Sequence, residues 1–277
     1  MQGTMPPHTD KENNRWLLLQ LWGLDTPITA ICWAVACAAL LQITMMTAGP
    51  LLLVASGVWC VSMWVRISDA LKSDDAWQAP FYRSNLALLS VLLLATGLAT
   101  TYMLFFYVGR AVLDYCFLPA GLFLGSRLCS HPSLQAFRQL LQALGFAMVC
   151  AMPAFYFSFT LTPLHMLVTG PVWYLGLLFY LTARERRRLK TGESPAHDAV
   201  LNTITLLLLL TISLLSSVTA PMFERTLCVT IAIGAGCLQG FCRLNHLVSP
   251  QRALALSWLT MALPAVLGII LYAPHSW

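Results

Sequence analysis

The segment 64–85 holds the residues of this chain whose types are best suited to chemistry. It follows directly on an apolar run, carries the densest charge in the first half of the chain, and contains three of the eleven acidic residues. Carboxylates can bind cations, and guanidiniums can bind phosphate oxygens. We therefore expect any reaction or ligand binding to involve this segment. Its charged candidates are Asp69, Asp74, Asp75, Arg66 and Arg83.

A second charged segment, 184–190, ends a later apolar run and is mostly basic. Cations at one end of a membrane helix are typical of topology signals and of contact with anionic lipid head groups. The alternative is that they clamp a phosphate group directly. Asp198 and Asn202 follow four residues apart, which places them on one helical face. The cations of the segment are Arg184, Arg186, Arg187, Arg188 and Lys190.

The composition excludes a water-soluble globular protein. Hydrophobic residues make up 58% of the 277 residues and charged residues only 10%, whereas soluble domains carry about 25% charged residues. The chain is therefore expected to be an integral membrane protein. Its net charge of +5 does not indicate nucleic-acid binding, because the basic residues follow the topology pattern described below. The nine cysteines include no Cys-x-x-Cys pair, which argues against a disulfide framework.

Apolar runs long enough to cross a bilayer as helices recur along the chain. A spanning helix needs about 20 mostly apolar residues, and the runs here are nearly continuous rather than alternating. The sequence predicts an all-α membrane bundle, with residues 1–27 as a polar tail and interfacial segment and residues 28–277 as one domain. The nine predicted spans are 28–46, 50–67, 86–108, 111–129, 140–160, 164–183, 199–220, 227–244 and 253–272.

The basic residues predict the orientation of these spans. Short cytoplasmic loops collect Lys and Arg, and nine spans place all but two of the 16 basic residues on the side of the N-terminus. The two exceptions are Arg110 and Arg225. We therefore expect a multi-pass membrane protein with a cytoplasmic N-terminus and an outside C-terminus.

Four short stretches accompany this layout, at 23–27, 66–70, 81–83 and 251–255. They read Gly-Leu-Asp-Thr-Pro, Arg-Ile-Ser-Asp-Ala, Phe-Tyr-Arg and Gln-Arg-Ala-Leu-Ala. With the polar connections after the second and sixth spans, they resemble a divergent bacterial branch of the UbiA-type intramembrane prenyltransferase superfamily. The resemblance implies a cytoplasm-facing cavity that binds a prenyl diphosphate through Mg²⁺ and two aspartate-rich motifs. It also implies transfer of the prenyl group to an aromatic or lipid acceptor, with Mg²⁺ neutralising the leaving diphosphate.

The two motifs depart from the family pattern. If Asp69 takes the last aspartate position of the first motif, Val65 stands at the first, and the segment 184–190 contains no aspartate. The resemblance assigns metal binding to Asp69, Asp74 and Asp75, and catalysis to Asp69, Asp74 and Asp198. It assigns diphosphate binding to Arg66, Arg83, Arg184, Arg186, Arg187, Arg188 and Lys190.

Two alternatives remain open at this point. In one, Asp69 pairs with Arg66 at a spacing of three residues, and Asp74 and Asp75 are solvated surface charges. In the other, which concerns function, the chain is a catalytically silent protein that binds lipid or scaffolds a partner and has kept the prenyltransferase fold. Its partners would be membrane lipids and an isoprenoid lipid or its diphosphate.

Overall fold

The structure of the protein is a computed structural model in which helices account for the regular structure. It describes residues 14–40, 48–72, 78–107, 111–129, 131, 134–158, 162–191, 196–219, 222–244, 253, 256–257 and 259–272. In chain order, the helices are α1 Asn14–Leu21, α2 Asp25–Leu40, α3 Ala48–Lys72, α4 Ala79–Ser84, α5 Leu86–Tyr102, α6 Ala111–Leu128, α7 Gln135–Phe157, α8 Pro163–Val168, α9 Gly170–Thr191, α10 Ala196–Thr219, α11 Met222–Leu244 and α12 Leu259–Tyr272. A π-helical turn, Met103–Tyr107, extends α5.

Five helical segments are long and apolar enough to cross a membrane. They are Ala48–Leu71, Leu86–Phe106, Gln135–Phe157, Asn202–Thr219 and Glu224–Leu244. Shorter apolar helices cover Asp25–Leu40 and Leu259–Ile270. The expected all-α, multi-pass membrane class is confirmed at this level, because backbone groups in lipid must be satisfied within helices or closed barrels and the described residues form helices without strands. The count of nine spans stays a prediction.

Helix α2 lies inside the bundle and packs against α3, α7, α11 and α12. Small side chains make up much of its length, which lets neighbouring helices approach closely. Trp33 of α2 is fully buried, and its indole N–H donates to the Met261 carbonyl at 2.7 Å. Its ring meets Phe179 of α9 edge to face, with 5.9 Å between centroids. Because a buried indole N–H needs a partner, this hydrogen bond fixes α2 against α12.

A tight turn at Gly23 joins α1 to α2. The Gly23 N–H donates to the Gln20 carbonyl at 3.1 Å, and the Leu24 N–H donates to the Leu19 carbonyl at 2.9 Å. This pair of bonds is a Schellman motif, which requires a left-handed residue at the helix end, and Gly23 has φ of 64°. The turn brings the first residue of α2, Asp25, next to the end of α1.

Side chains from α3 and α4 bind carbonyl groups at the end of α1 and in the turn that follows it. Carbonyls at a helix end have no partner within their own helix, so these side-chain donors help to satisfy them. The donor and acceptor residues are Arg66 with Gln20, Tyr82 with Leu21 at 2.8 Å, and Trp59 with Trp22 at 2.9 Å. The start of α2 is therefore held in place by α3 and α4.

Candidate functional site

A buried carboxylate, Asp25, forms the centre of a charged cluster that joins three helices. Its Oδ1 accepts from Arg66 Nη2 at 2.6 Å, and its Oδ2 accepts from Arg186 Nη2 at 2.9 Å. The Asp25 side chain is only 1% exposed, whereas those of Arg66 and Arg186 are 17% and 21% exposed. The cluster therefore ties the start of α2 to the last turns of α3 and α9.

The two guanidiniums keep Asp25 ionised despite its burial. Burial by itself raises the pKa of Asp25, but the Arg66 and Arg186 charges and their hydrogen bonds outweigh it and hold the pKa below its ordinary value. One carboxylate and two guanidiniums leave one net positive charge, since arginine stays protonated in proteins. The cluster can therefore balance its own carboxylate and still attract an anionic group.

A second ion pair lies on α9, next to the Asp25 cluster. Arg188 Nη2 donates to Glu185 Oε1 at 2.6 Å, and the Glu185 side chain is 2% exposed. The Cys242 thiol of α11 also hydrogen-bonds to Glu185. Glu185 therefore links α9 to α11, while its neighbour Arg186 links α9 to α2. Consecutive residues of α9 thus take part in two separate buried contacts.

Replacing Glu185 by Gln should lower the free energy of unfolding by about 1–2 kcal/mol, because Arg188 loses its charged partner but stays partly solvated. The measurement is SDS-induced unfolding of the purified protein. The matched control is the double variant with Arg188→Gln. It should be less destabilised than the sum of the two single variants, with a coupling of about 1 kcal/mol. Strictly additive effects would contradict the ion pair.

The structure corrects the expected pairing of Arg66 with Asp69. Arg66 contacts Asp25, 41 residues away in sequence, and Asp69 is exposed near the end of α3. Because the Asp69 side chain is exposed, it does not replace the buried Asp25 carboxylate as the partner of the Arg66 guanidinium. The Nε and Nη2 of Arg83 donate to the Ala70 carbonyl at 3.2 and 3.1 Å and so attach α4 to α3, and the proposed contact of Arg83 with diphosphate stays a prediction.

The remaining predicted site residues are only partly described. Asp74 and Asp75 lie outside the described residues. Asp198 lies in α10 and Lys190 in α9, but the surroundings of these two side chains lie outside the described part. Arg184 and Arg187 lie in the last turns of α9, and both have an interaction partner. The structure thus brings Arg66 and Arg186 together, and Asp69 does not take part in their contact.

Sequence reasoning missed Asp25 and Glu185 as site residues. The residues Asp25, Thr26 and Pro27 predict a helix start at this point, and α2 begins at Asp25. The available signal was its place at the start of an apolar run, since ionisable residues at membrane helices are costly and are usually paired. In the sequence, Glu185 lies among the five basic residues of the segment 184–190. A single carboxylate in such a segment is usually a solvated surface charge.

The described residues do not by themselves form a Mg²⁺ site. Among them, no three His, Cys, Asp or Glu side chains come together, and each oxygen of the Asp25 carboxylate accepts from a guanidinium. Mg²⁺ needs carboxylate or phosphate oxygens that are free to ligate it. Comparison with protein-family models and with curated proteins finds no match for this chain.

Proposed function

We propose that this chain is a nine-helix membrane protein of UbiA-like layout that binds an isoprenoid, or its diphosphate, where α3 and α9 end. Prenyl transfer to an aromatic or lipid acceptor would be its activity. One observation carries the proposal: Arg66 at the end of α3 and Arg186 near the end of α9 contact the same carboxylate. The predicted second span, 50–67, lies in α3, whereas the predicted sixth span, 164–183, covers α8 and the first part of α9. The resemblance expects the segments after these spans to act together.

The charge at this site favours an anionic ligand. Two guanidiniums face one carboxylate, and the last turns of α9 add Arg184 and Arg187. Guanidinium groups match the oxygens of phosphate groups and bind them with strong, charge-assisted hydrogen bonds. Neighbouring apolar helices would receive the hydrocarbon chain. A prenyl diphosphate combines these two properties, as does an anionic lipid with an isoprenoid tail.

Magnesium enters the proposal through the resemblance alone. Asp69, Asp74 and Asp75 are its proposed ligands, with Asp198 as a further carboxylate. The diphosphate binding proposed above depends on the guanidiniums and does not depend on the metal. Addition and removal of Mg²⁺ therefore separates the binding proposal from the proposal of catalysis.

The second candidate function is a catalytically silent protein that binds lipid. The ion pairs of Asp25 with Arg66 and Arg186 favour this second candidate. Buried ion pairs of this kind can serve to hold helices together, without a role in catalysis. Under this proposal, the protein would bind the same isoprenoid lipid but release no pyrophosphate.

The proposed orientation has the N-terminus in the cytoplasm and the C-terminus outside a bacterial inner membrane. It rests on the segregation of Lys and Arg, which places the ends of α3 and α9 on the cytoplasmic side. Reporter fusions after residues 190 and 277 would test this orientation.

The function is tested by binding of radiolabelled farnesyl diphosphate to the purified full chain in lipid nanodiscs, with farnesol as the uncharged competitor. We expect tighter binding of the diphosphate, and Arg187→Gln should weaken it about tenfold, or about 1.4 kcal/mol. Arg225→Gln is the matched control, because Arg225 is also exposed but lies at the start of α11, on the predicted outside. Release of pyrophosphate is measured with Mg²⁺ and with EDTA.

The outcomes separate the two candidates. Mg²⁺-dependent release that Asp69→Asn abolishes would support the prenyltransferase. Binding of the diphosphate without release would support the silent lipid-binding protein. Equal affinity for farnesol and its diphosphate, or an equal loss in the Arg187 and Arg225 variants, would overturn the proposed site.

A further inference from the structure

A polar cavity of about 150 Å³ lies between α9, α10 and α11, and its lining includes none of the three residues of the Asp25 cluster. Polar side chains from all three helices line it, in a region where membrane helices usually pack through apolar contacts. Leu206 contributes an apolar wall. The polar lining residues are Glu185, Arg188, Asn202, Thr203, Gln239, Cys242 and Arg243.

Three polar atoms of the cavity lining are buried and have no hydrogen-bond partner among the described residues. They are Nε of Arg188, Oδ1 of Asn202 and Oε1 of Gln239. Asn202 is only 5% exposed. An unpaired buried polar group costs about 1–3 kcal/mol. Three such atoms around one cavity therefore indicate a polar occupant.

The charges of the cavity disfavour an ionic occupant. Glu185 is already paired with Arg188 at 2.6 Å, so this pair has no net charge, and the second cation of the lining, Arg243, is exposed. A cation would be repelled by both guanidiniums. An anion would face the Glu185 carboxylate and the two amide oxygens, which cannot donate a hydrogen bond to it. A neutral molecule avoids these repulsions, because it can form hydrogen bonds without bringing an unpaired charge into a buried site.

The unpaired atoms specify what that molecule must offer. The oxygens of Asn202 and Gln239 need donors, whereas the N–H of Arg188 needs an acceptor. A hydroxyl group provides both functions. A cavity of about 150 Å³ holds a molecule as large as benzene, and glycerol has as many non-hydrogen atoms. We propose that this cavity binds a small neutral polyol.

The polyol can come from two sources that share this chemistry. It can be a free compound such as glycerol, or it can be the glycerol end of a lipid head group that enters from the membrane. In either case the hydroxyls would donate to the amides of α10 and α11 and accept from α9. The site is separate from the proposed isoprenoid site and does not depend on that function.

The test uses Cys242, which lines the cavity, as a reporter of occupancy. The purified full chain is labelled with methyl methanethiosulfonate, and site-resolved mass spectrometry gives the rate at Cys242 relative to Cys237, which is on α11 but not in the lining. At a glycerol concentration of about ten times the Kd of glycerol, about one tenth of the cavities stay empty, so labelling of Cys242 should slow about tenfold. 1,2-Dimethoxyethane, which accepts but cannot donate, should give no protection.

The variant Asn202→Leu removes one acceptor and should abolish protection by glycerol while leaving the fold intact, since its Oδ1 has no partner among the described residues to lose. Nanodiscs of phosphatidylglycerol are compared with nanodiscs of phosphatidylcholine. Protection by the first lipid alone would support a head-group source, and protection by glycerol in either lipid a free polyol. Equal protection by glycerol and dimethoxyethane, protection that survives in Asn202→Leu, or no protection at all would overturn the proposal.

Discussion

Replacing Asp25 by Asn is expected to lower the free energy of unfolding by about 3–5 kcal/mol, the usual cost of removing one partner from a buried ion pair. The change leaves two guanidiniums, from Arg66 and Arg186, facing each other without the carboxylate between them. Their mutual repulsion would separate α3 from α9 at the start of α2. SDS-induced unfolding of the purified protein measures the loss.

Asp69→Asn is the matched control for this experiment. It removes the same charge from an exposed position on α3, so stability should change by less than about 0.5 kcal/mol. The pH dependence gives a second readout. The ordinary pKa of an Asp side chain is 3.8, and the pKa of Asp25 in the folded protein is lower than this. The ionised Asp25 carboxylate therefore contributes its full stabilisation above pH 3.8, and this stabilisation is lost as the pH falls through the lowered pKa. Equal stability of the Asp25 and Asp69 variants would show that the cluster does not hold the helices together.

Replacing Gly23 by Ala is expected to destabilise the protein by about 2–5 kcal/mol. Gly23 has φ of 64°, a conformation that costs an L-residue about 1–2 kcal/mol. A methyl group there would also lie 2.6 Å from the sulfur of Met63 on α3, and overpacking of this kind adds about 1–3 kcal/mol. The strain would fall on the turn that positions Asp25. We therefore expect the same unfolding assay to show a clear loss.

The control for Gly23 is Gly121→Ala, in α6. A methyl group at Gly121 has no atom within 4 Å to meet, and Ala favours a helix over Gly by about 0.5–1 kcal/mol. The protein should keep or slightly gain stability. If Gly23→Ala and Gly121→Ala lower the free energy of unfolding by the same amount, the loss would not be specific to the turn at Gly23.

The helices were largely predictable from the order of residues alone. The start of α2 at Asp25 follows from Asp25, Thr26 and Pro27 before an apolar run, because proline in the first turn gives up an N–H that has no partner in the helix. The absence of disulfides was also predictable, and all nine cysteines are free. The end of α1 was less clear, since the apolar stretch 16–24 continues past the turn at Gly23.

The pairing of the charged residues was not predictable. Asp69 lies three residues from Arg66 on the same helix and was the expected partner, yet Arg66 binds Asp25. The second partner of Asp25, Arg186, is 161 residues away. Spacing along a helix describes only pairs within that helix, whereas a buried carboxylate takes the guanidiniums that neighbouring helices bring into its pocket.

The sequence by itself thus determined that this protein is helical, lies in a membrane and begins α2 at Asp25. Apolar runs of this length are stable in lipid only when their backbone bonds close within each helix. Only the tertiary structure decided that α3 and α9 meet at Asp25, and that one cavity is lined by three polar atoms without a partner in the part of the chain that the structure describes. Those features depend on which helix faces pack together. The packing of apolar helices depends on contacts between residues that are far apart in the sequence, and a local pattern of residues does not predict those contacts.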